Sequence, residues 1–239
     1  MTWAAPRILP CGDTALTVEF GDAIDPGLNA RVLALDRALS GQPGMVETVP
    51  TYRSLLVHYD PVAIAFEPLA AIIRAAATAP AGDVRPGRTW RIPVAYGGRH
   101  GIDLETTAAT HGLSPAKLIE LHAAPTYQVY MIGFLPGFAY LGGLDPTIAT
   151  PRRVSPRLKT PPGTVSIGGV QALVASIEAP SGWHLLGRTP VRTFMPGRDP
   201  VFLLAPGDRV RFEPIDPARF DGLDREAAQG AIVASVEAA

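Results

Sequence analysis

A proline-rich segment carries four cations and is the strongest candidate binding element in the sequence. Its basic residues are Arg152, Arg153, Arg157 and Lys159, which fall within eight residues. Because the planar arginine guanidinium donates paired hydrogen bonds to carboxylates and phosphates, the segment predicts a site for an anionic substrate. The alternative is a salt-bridged loop that pairs with acidic residues of the chain itself or of a partner.

A glycine-rich segment at 133–143 places three aromatic rings, Phe134, Phe138 and Tyr140, around Pro136. Aromatic rings in so flexible a frame either pin the loop onto the underlying sheet or line the mouth of a cavity. The sequence leaves both interpretations open.

Three short motifs downstream add polar groups among turn residues: Ile167-Gly-Gly-Val-Gln, Pro180-Ser-Gly-Trp-His and Gly187-Arg-Thr-Pro. Glycine lets a ligand approach the backbone closely, and a glutamine amide can orient an amide or a carboxylate. Each motif alone is typical of barrel turns, but their close succession favours a site. The candidate substrate-binding residues are Arg152, Arg153, Arg157, Gln171, Arg188 and Thr189. The candidate cavity-lining residues are Phe134, Pro136, Phe138, Tyr140, Gly168, Gly169 and Trp183.

The motifs of several common enzyme classes are absent from the sequence. It contains no GxxxxGK[ST] phosphate loop, no GxGxxG after a strand and no GxSxG nucleophile elbow. The five histidines form neither HxH nor HExxH, so no metal site is indicated. His111 and His122 are predicted at helix C-termini, where a positive charge is favoured. No catalytic residue is assigned.

Composition and charge argue against other classes of protein. The formal net charge is −1 with no run of basic residues, so a nucleic-acid-binding surface is not expected. The single cysteine, Cys11, is typical of a reduced intracellular protein. No signal peptide is readable, and the most apolar stretch, 69–79, is interrupted by Arg74 and too short to span a bilayer. We therefore expect a soluble, cytoplasmic protein that does not enter a membrane.

Residues 1–82 are predicted to form a small α+β domain of ferredoxin-like character. The apolar residues of 26–39 recur at helical spacing after Asp25, a predicted N-cap. The remaining elements are predicted strands at 15–20, 46–50 and 54–59 and a helix at 68–79. Their order is β-α-β-β-α.

A cluster of proline and glycine at 80–87 predicts a linker to a second domain at 88–217. Two short helices are predicted there, 103–111 and 114–122, with Ser114 as the N-cap of the second. Predicted strands lie at 90–94, 127–132, 164–167, 172–176, 184–186, 201–204 and 209–213. Many short strands divided by turns indicate a closed β-barrel, and 218–239 is predicted as a C-terminal tail that is either a helix or a frayed end.

Several of these segments resemble one protein family. The motifs are Gly133-Phe-Leu-Pro-Gly-Phe-Ala-Tyr-Leu, Pro151-Arg-Arg, Gly187-Arg-Thr-Pro and Gly207-Asp-Arg-Val-Arg-Phe. They are similar to the family named for the sporulation kinase inhibitor KipI, whose members are also called allophanate hydrolase subunit 1 or the B subunit of 5-oxoprolinase. The resemblance covers roughly 8–215.

The resemblance implies a fold and an activity. The fold is α+β, with the small ferredoxin-like α/β domain followed by a cyclophilin-like β-barrel. The activity is that of an ATP-dependent 5-oxoprolinase, a hydrolase that opens the lactam of 5-oxo-L-proline to L-glutamate. The chain would be inactive alone, sharing its active site with a homologous C subunit (allophanate hydrolase subunit 2, KipA-like) and completed by the third, or A, subunit. ATP and Mg²⁺ would be needed by the complex, and neither is assignable to this chain.

Three alternatives stay open. As the family name implies, the chain could inhibit a sensor histidine kinase, a role that needs no pocket. It could belong to an enzyme acting on urea or allophanate, which only a substrate assay distinguishes. It could also be a barrel without a ligand.

Overall fold

The chain divides into two compact units, Met1–Arg85 and Pro86–Ala239, in a computed structural model that describes residues 2–78 and 87–237. The predicted linker at 80–87 lies outside the described residues apart from Gly87. The predicted α+β fold class is confirmed. In the described part of the chain, no helix is long and apolar enough to cross a membrane.

The first unit is a four-stranded sheet with two helices. Its elements are β1 (Thr2–Pro10), β2 (Ala15–Gly21), α1 (Pro26–Leu39), β3 (Met45–Pro50), β4 (Ser54–Tyr59) and α2 (Phe66–Thr78). The sheet order is β1-β2-β4-β3, and all neighbours are antiparallel. Because β4 lies between β2 and β3, which α1 connects, the unit contains the split β-α-β arrangement of ferredoxin-like folds. Strand β1, which sequence reasoning missed, forms the edge beside β2.

The sequence of α1 accounts for both its start and its packing. The Asp25 carboxylate accepts a hydrogen bond from the backbone N–H of Leu28 at 3.0 Å, so the predicted N-cap is confirmed. The apolar residues at helical spacing lie in the core of this unit, against the inner face of the sheet. They are Leu28, Val32, Leu35 and Leu39.

The second unit is built around a closed barrel. Its elements are β5 (Thr89–Tyr96), α3 (Leu104–Thr110), α4 (Pro115–Ala123), β6 (Tyr127–Ile132), β7 (Ala139–Gly142), a short 3-10 helix (Pro146–Ile148), β8 (Arg157–Thr160), β9 (Thr164–Gly168), β10 (Gln171–Val174), β11 (Ala179–Ser181), β12 (His184–Arg188), β13 (Arg209–Pro214), α5 (Pro217–Ala228) and β14 (Ser235–Val236). Seven strands follow the order β12-β9-β10-β7-β6-β13-β5, and β5 pairs back with β12. The predicted closed barrel is therefore confirmed. Strands β8 and β11 form a separate two-stranded ribbon.

Two expectations about the second unit need correction. The run 201–204 is not a strand: Phe202 makes only an isolated bridge with Phe194, and the apolar pattern instead reflects burial of Leu203 and Leu204 in the barrel core. The predicted tail contains a helix, α5, which was one of its two interpretations, and it is not a frayed end, because the short strand β14 that follows pairs with β5. Both elements lie in the second unit and add one short strand beside the barrel.

His122 is also placed differently from the expectation of a cation at a helix C-terminus. It is fully buried, its ring stacks on Phe212 at 4.9 Å, and its Nδ1 lies 2.8 Å from the Tyr96 hydroxyl. Burial lowers the pKa of His122 to about 3. The side chain is therefore neutral at physiological pH and acts as a core residue.

The barrel has a second apolar cluster on its outer face. Alternation along β10 sends Ala172 and Val174 into the barrel core, while Leu173 packs outside with Phe138 and Trp183. The outer cluster gives the segments that cross this face a fixed support. That face is where the candidate site lies.

Candidate functional site

A cleft of about 240 Å³ lies on the outer face of the barrel, between the glycine-rich aromatic segment and the arginine-rich segment. Its lining consists of aromatic rings, small residues and two arginines. These residues are Phe134, Phe138, Tyr140, Arg152, Arg153, Pro156, Leu173, Pro180, Ser181, Gly182 and Trp183. Six of the thirteen residues that sequence reasoning nominated therefore lie together.

The two phenylalanines of the glycine-rich segment have different positions, one buried and one exposed. Phe138 is buried in the outer apolar cluster and pins the loop, whereas Phe134, with its ring centroid 5.6 Å away, is 63% exposed at the mouth. Both interpretations left open by the sequence are thus realised in one segment. Tyr140 and Trp183 meet edge to face at 5.9 Å and form a wall of the cleft.

Phe134 also has an unusual backbone conformation. Its φ of 71° is the one positive value recorded for a non-glycine residue in the described part of the chain. A side chain in this region costs about 1–3 kcal/mol and persists only where its surroundings impose it. Backbone hydrogen bonds from Gly133 N to Phe138 O and from Phe138 N to Leu135 O close the loop around it. These hydrogen bonds impose the strained conformation and thereby hold the exposed ring at the cleft.

Arg152 is the cation of the arginine-rich segment that is free to meet a ligand. Its guanidinium lies 5.4 Å from the centroid of the Trp183 ring. Within the described ranges no carboxylate pairs with it, and its side chain is exposed. Burial raises the pKa of Tyr140 in the same wall, while the charge of Arg152 opposes that rise. Arg152 therefore offers hydrogen-bond donors beside an aromatic surface.

Arg153 and Arg157 are held by a buried carboxylate that sequence reasoning missed. The Asp103 side chain is buried, with the residue 4% exposed, and its carboxylate accepts hydrogen bonds from both terminal nitrogens of Arg157, at 2.7 and 2.8 Å. Arg153 Nη1 lies 3.4 Å from Asp103 Oδ1. The backbone N–H of Leu185 donates to the same carboxylate at 2.9 Å. Burial raises the pKa of Asp103, but the hydrogen bonds from Arg157 and Leu185 outweigh it, so the pKa lies below its usual value. We call Asp103, Arg153 and Arg157 the Asp103 clamp.

The clamp decides which nominated arginines face the cleft. Arg153 both binds Asp103 and lines the cleft, and its backbone N–H donates to Gly182 O at 2.7 Å. Arg157 is committed to Asp103 and is not part of the lining. Lys159 pairs with Glu178 at 3.0 Å on the exposed ribbon. The predicted salt-bridged loop is therefore present at Arg153, Arg157 and Lys159, and the predicted anion site stays a prediction, for Arg152.

The nominated glycines support the cleft from behind. A Cβ on Gly168 would stand 2.7 Å from the Trp183 ring, so its missing side chain makes room for that wall. Gly169, with φ +61°, is a turn residue that exchanges two backbone hydrogen bonds with Thr150. Gln171 is 5% exposed, its Nε2 lacks a partner among the described residues, and it is not part of the lining.

Pro136 and Thr189 also lie outside the lining. The Pro136 carbonyl accepts a hydrogen bond from the Ser176 hydroxyl, which anchors the aromatic segment. Thr189 is fully buried, and its hydroxyl accepts from Val191 N at 3.1 Å. Both contacts stabilise loops around the barrel and do not present a group to a ligand.

Arg188 lies far from Arg152. Trp183, over which Arg152 lies, precedes β12, and Arg188 ends it, so at about 3.3 Å per residue Trp183 and Arg188 are roughly 16 Å apart along the strand. Arg188 Nε donates to Pro162 O at 3.1 Å, and its guanidinium lies 5.1 Å from the Phe220 ring of α5. Arg188 therefore does not converge on the cleft with Arg152 and Arg153.

No group of three histidine, cysteine, aspartate or glutamate side chains in the described ranges is arranged to hold a metal ion. The lining of the cleft itself contains cations, rings and the Ser181 hydroxyl. Chemically, the cleft can bind and orient a small anion with an apolar body.

Comparison with known sequences identifies the family. Residues 6–204 match the family model described as carboxyltransferase domain, subdomain C and D. Two relatives, from Bacillus subtilis and Escherichia coli, are named as the B subunit of 5-oxoprolinase, and each is 39% identical, over 219 and 204 residues. The alignments cover 86% and 85% of this chain and 91% and 93% of those relatives.

Solved structures agree with this assignment. TTHA0988 is 36% identical with a TM-score of 0.77, and the match covers 84% of this chain but 40% of that one, so this chain spans less than half its length. PH0987 from Pyrococcus horikoshii is 46% identical with a TM-score of 0.54, covering 90% of this chain and all of that one. Urea carboxylase from Kluyveromyces lactis, at 20% identity and a TM-score of 0.77 over 97% of this chain and 24% of that one, shares the fold. The chain therefore belongs to the carboxyltransferase subdomain C and D family and, within it, to the group of 5-oxoprolinase B subunits that its motifs resemble.

Proposed function

We propose that this chain is the substrate-binding part of an ATP-dependent 5-oxoprolinase, which opens the lactam of 5-oxo-L-proline to L-glutamate, and that it is inactive alone. The observation that carries the proposal is Arg152, an exposed guanidinium without an ion-pair partner in the described ranges, standing over the Trp183 ring in a small cleft. The name shared by the curated relatives supports it.

The cleft suits a small carboxylated ring. Its volume of about 240 Å³ lies below the roughly 300–1,000 Å³ of pockets for drug-sized ligands. Arg152 would donate to the substrate carboxylate in the paired geometry that arginine favours. Tyr140 and Trp183 would flank the lactam ring, and Arg153 would supply a second donor from the cleft wall. These contacts would orient the lactam carbonyl for reaction.

The rest of the chemistry is assigned to the complex. ATP would phosphorylate the lactam oxygen and so create a good leaving group. Mg²⁺ prefers carboxylate oxygens, and the lining of this cleft contains none, so it does not fit a magnesium site. We therefore assign nucleotide, metal ion and base to the two partners: the homologous KipA-like chain, which closes the cleft, and the third chain of the enzyme. The word subunit in the relatives' names supports further chains of this kind.

The test is ATP-dependent release of glutamate from 5-oxoproline. This chain is assayed alone and mixed with the two proposed partner chains, and we expect activity only in the mixture. In the mixture, Arg152→Gln is expected to lower kcat/KM by about 10- to 100-fold, because hydrogen bonds to charged groups contribute about 1.5–3 kcal/mol. Lys159→Gln removes the same charge from the exposed ribbon and serves as the matched control.

Two results would overturn the proposal. Activity of the isolated chain would show that it carries the whole active site, and full activity of Arg152→Gln would show that the cleft does not bind the substrate carboxylate. If no mixture released glutamate, the urea-type amides and inhibition of a histidine kinase would become the leading functions.

A further inference from the structure

A second group of cations lies at the other end of β12, beneath α5. It consists of Arg99, His100, Arg188 and Arg192, and we call it the α5 cation cluster. Phe220 of α5 contacts two of its members: the His100 ring at 4.3 Å and the Arg188 guanidinium at 5.1 Å. The proposed 5-oxoprolinase chemistry in the cleft uses none of these residues.

Two of the three arginines in the cluster are neutralised by α5. Arg99 Nη2 donates to both carboxylate oxygens of Asp221, at 2.7 and 2.8 Å. Arg192 pairs with Asp224 at 2.8 Å. No carboxylate of the described ranges forms an ion pair with Arg188, whose recorded contacts are the Pro162 carbonyl and the Phe220 ring. Its two terminal nitrogens are therefore available to a ligand.

The surroundings of Arg188 leave its charge incompletely compensated. Burial lowers the pKa of Arg188, and the neighbouring Arg192 and Arg99 lower it further against the opposing effect of Asp224 and Asp221. A half-buried cation of this kind costs free energy unless an anion approaches it.

His100 supplies a second unmet donor in the same cluster. It is 3% exposed, and its Nε2 accepts a hydrogen bond from Arg99 Nε at 3.2 Å. Burial, followed by the charges of Arg99 and Arg188, lowers the pKa of His100, so the ring is neutral. Because Nε2 is the acceptor, the single ring hydrogen lies on Nδ1. That Nδ1 is buried and has no partner among the described residues, which is uncommon in a folded protein.

We propose that the α5 cation cluster is a binding site for a phosphate group, separate from the cleft, with Arg188 as its charged anchor and His100 Nδ1 as a neutral donor. A phosphate offers several acceptor oxygens and close to two negative charges at neutral pH. It therefore matches a forked cation plus an added N–H better than a single carboxylate does. The ligand is either free phosphate or the phosphates of a nucleotide. The site stands independently of the 5-oxoprolinase proposal, because binding is measured without turnover.

Helix α5 is expected to set the affinity of the site. Asp224 withdraws Arg192 from any ligand and adds a negative charge beside Arg188. Neutralising Asp224 therefore releases one arginine and removes one repulsive charge. A gain in affinity on this change is not expected if the cluster only fastens α5 to the barrel.

The experiment is isothermal titration calorimetry of the full chain with inorganic phosphate, at low ionic strength and neutral pH. We expect saturable binding, weakened at least about tenfold by Arg188→Gln, since charged hydrogen bonds contribute about 1.5–3 kcal/mol. Asp224→Asn is expected to tighten binding by about two- to fivefold, the scale of a partly exposed ion pair. Arg209→Gln, which removes an exposed barrel arginine outside the cluster, is the matched control and should bind as the unmodified chain does.

The proposal is overturned if the unmodified chain does not bind phosphate, or if Arg188→Gln and Arg209→Gln bind it equally well. Circular dichroism verifies that each variant folds. If Arg188→Gln does not fold, Asp224→Asn decides, and unchanged or weaker binding by that variant contradicts the proposal. Parallel titrations with tripolyphosphate and ATP identify the source of the phosphate. Tighter binding of ATP indicates a nucleotide, and equal binding indicates the phosphate groups alone.

Discussion

The two halves of the arginine-rich segment use the same residue type for opposite purposes. Arg157 is bound bidentately by Asp103, which is buried, and thereby fastens the segment to the barrel. Arg152, five residues earlier, has no such partner in the described ranges and lies over Trp183 in the cleft. The buried carboxylate, and not the cation, determines the role. A fixed arginine positions the segment so that a free one can meet a ligand.

The largest effect that separates the two halves is expected from Asp103→Ala. Removing one partner of a buried ion pair leaves an uncompensated charge and costs about 3–5 kcal/mol. The free energy of unfolding of the barrel should fall by this amount, measured by urea titration of tryptophan fluorescence at pH 7. Arg152→Gln, the comparison variant, should stay within about 0.5 kcal/mol of the unmodified protein. An equal loss of unfolding free energy in both variants would mean that Arg152 stabilises the barrel as the Asp103 clamp does.

Acidification provides a second way to separate the clamp from the rest of the barrel. The folded-state pKa of His122 is about 3 against an ordinary 6.5, so its contribution is complete above pH 6.5 and is lost as the pH falls toward 3. The pKa of Asp103 lies below 3.8, so the clamp is lost only below about pH 4. Between pH 6.5 and 4, His122 should lower stability by roughly 1 kcal/mol per pH unit, and His100, whose pKa burial also lowers, acts in the same direction.

The pH experiment compares urea unfolding of the unmodified protein and Asp103→Asn across this range. The two should lose stability in parallel down to about pH 4, and their difference should shrink only below it. If the difference already closed near pH 6, Asp103 would be titrating well above its usual range and the clamp would not be ionised as described.

Gly168→Ala tests the free half of the segment without touching the clamp. The added Cβ would stand 2.7 Å from the Trp183 ring, so the ring has to shift, at a cost of about 1–3 kcal/mol for overpacking. In the reconstituted enzyme we expect a raised KM for 5-oxoproline, because a shift of the Trp183 ring displaces the Arg152 guanidinium that lies over it. Gly169→Ala strains the neighbouring turn at φ +61° with open space around its Cβ, and should lower stability with KM unchanged. A raised KM in both variants would indicate general loosening of the hairpin.

Local patterns in the sequence were sufficient to predict most of the elements. Helix α1 follows from its capping Asp25 and its 3.6-residue period, and α4 from Ser114, whose hydroxyl accepts from Lys117 N at 3.2 Å. Strand β1 was missed because Pro6 and Pro10 lie within it, as an edge strand tolerates. Strands β8 and β11 were missed because they pair with each other outside the barrel and their residues show no apolar alternation, and β7 was missed because it lies within the glycine-rich aromatic segment.

The candidate site was less predictable because its contacts join distant parts of the chain. Asp103 was predicted only as the start of a helix, and its partner Arg157 lies 54 residues away. Arg188 and Arg152 were nominated for one site, but they lie near opposite ends of β12. The direction of β12 is set by its pairing with distant strands of the barrel, which no local sequence pattern shows. The pocket-lining aromatics were found because their composition in a glycine-rich loop is itself a local signal.

The smallest effect is expected at the end of the arginine-rich segment. The side chains of Lys159 and Glu178 are 77% and 54% exposed, and Lys159 Nζ lies 3.0 Å from Glu178 Oε1 beside the β8–β11 ribbon. An exposed pair gains little from its attraction, since water screens it and both side chains lose freedom. Lys159→Ala should therefore leave the unfolding midpoint and the reconstituted activity unchanged within error. A clear loss of activity with normal stability would assign Lys159 to the ligand or to a partner surface, and the contrast between fixed and free cations would then extend along the whole segment.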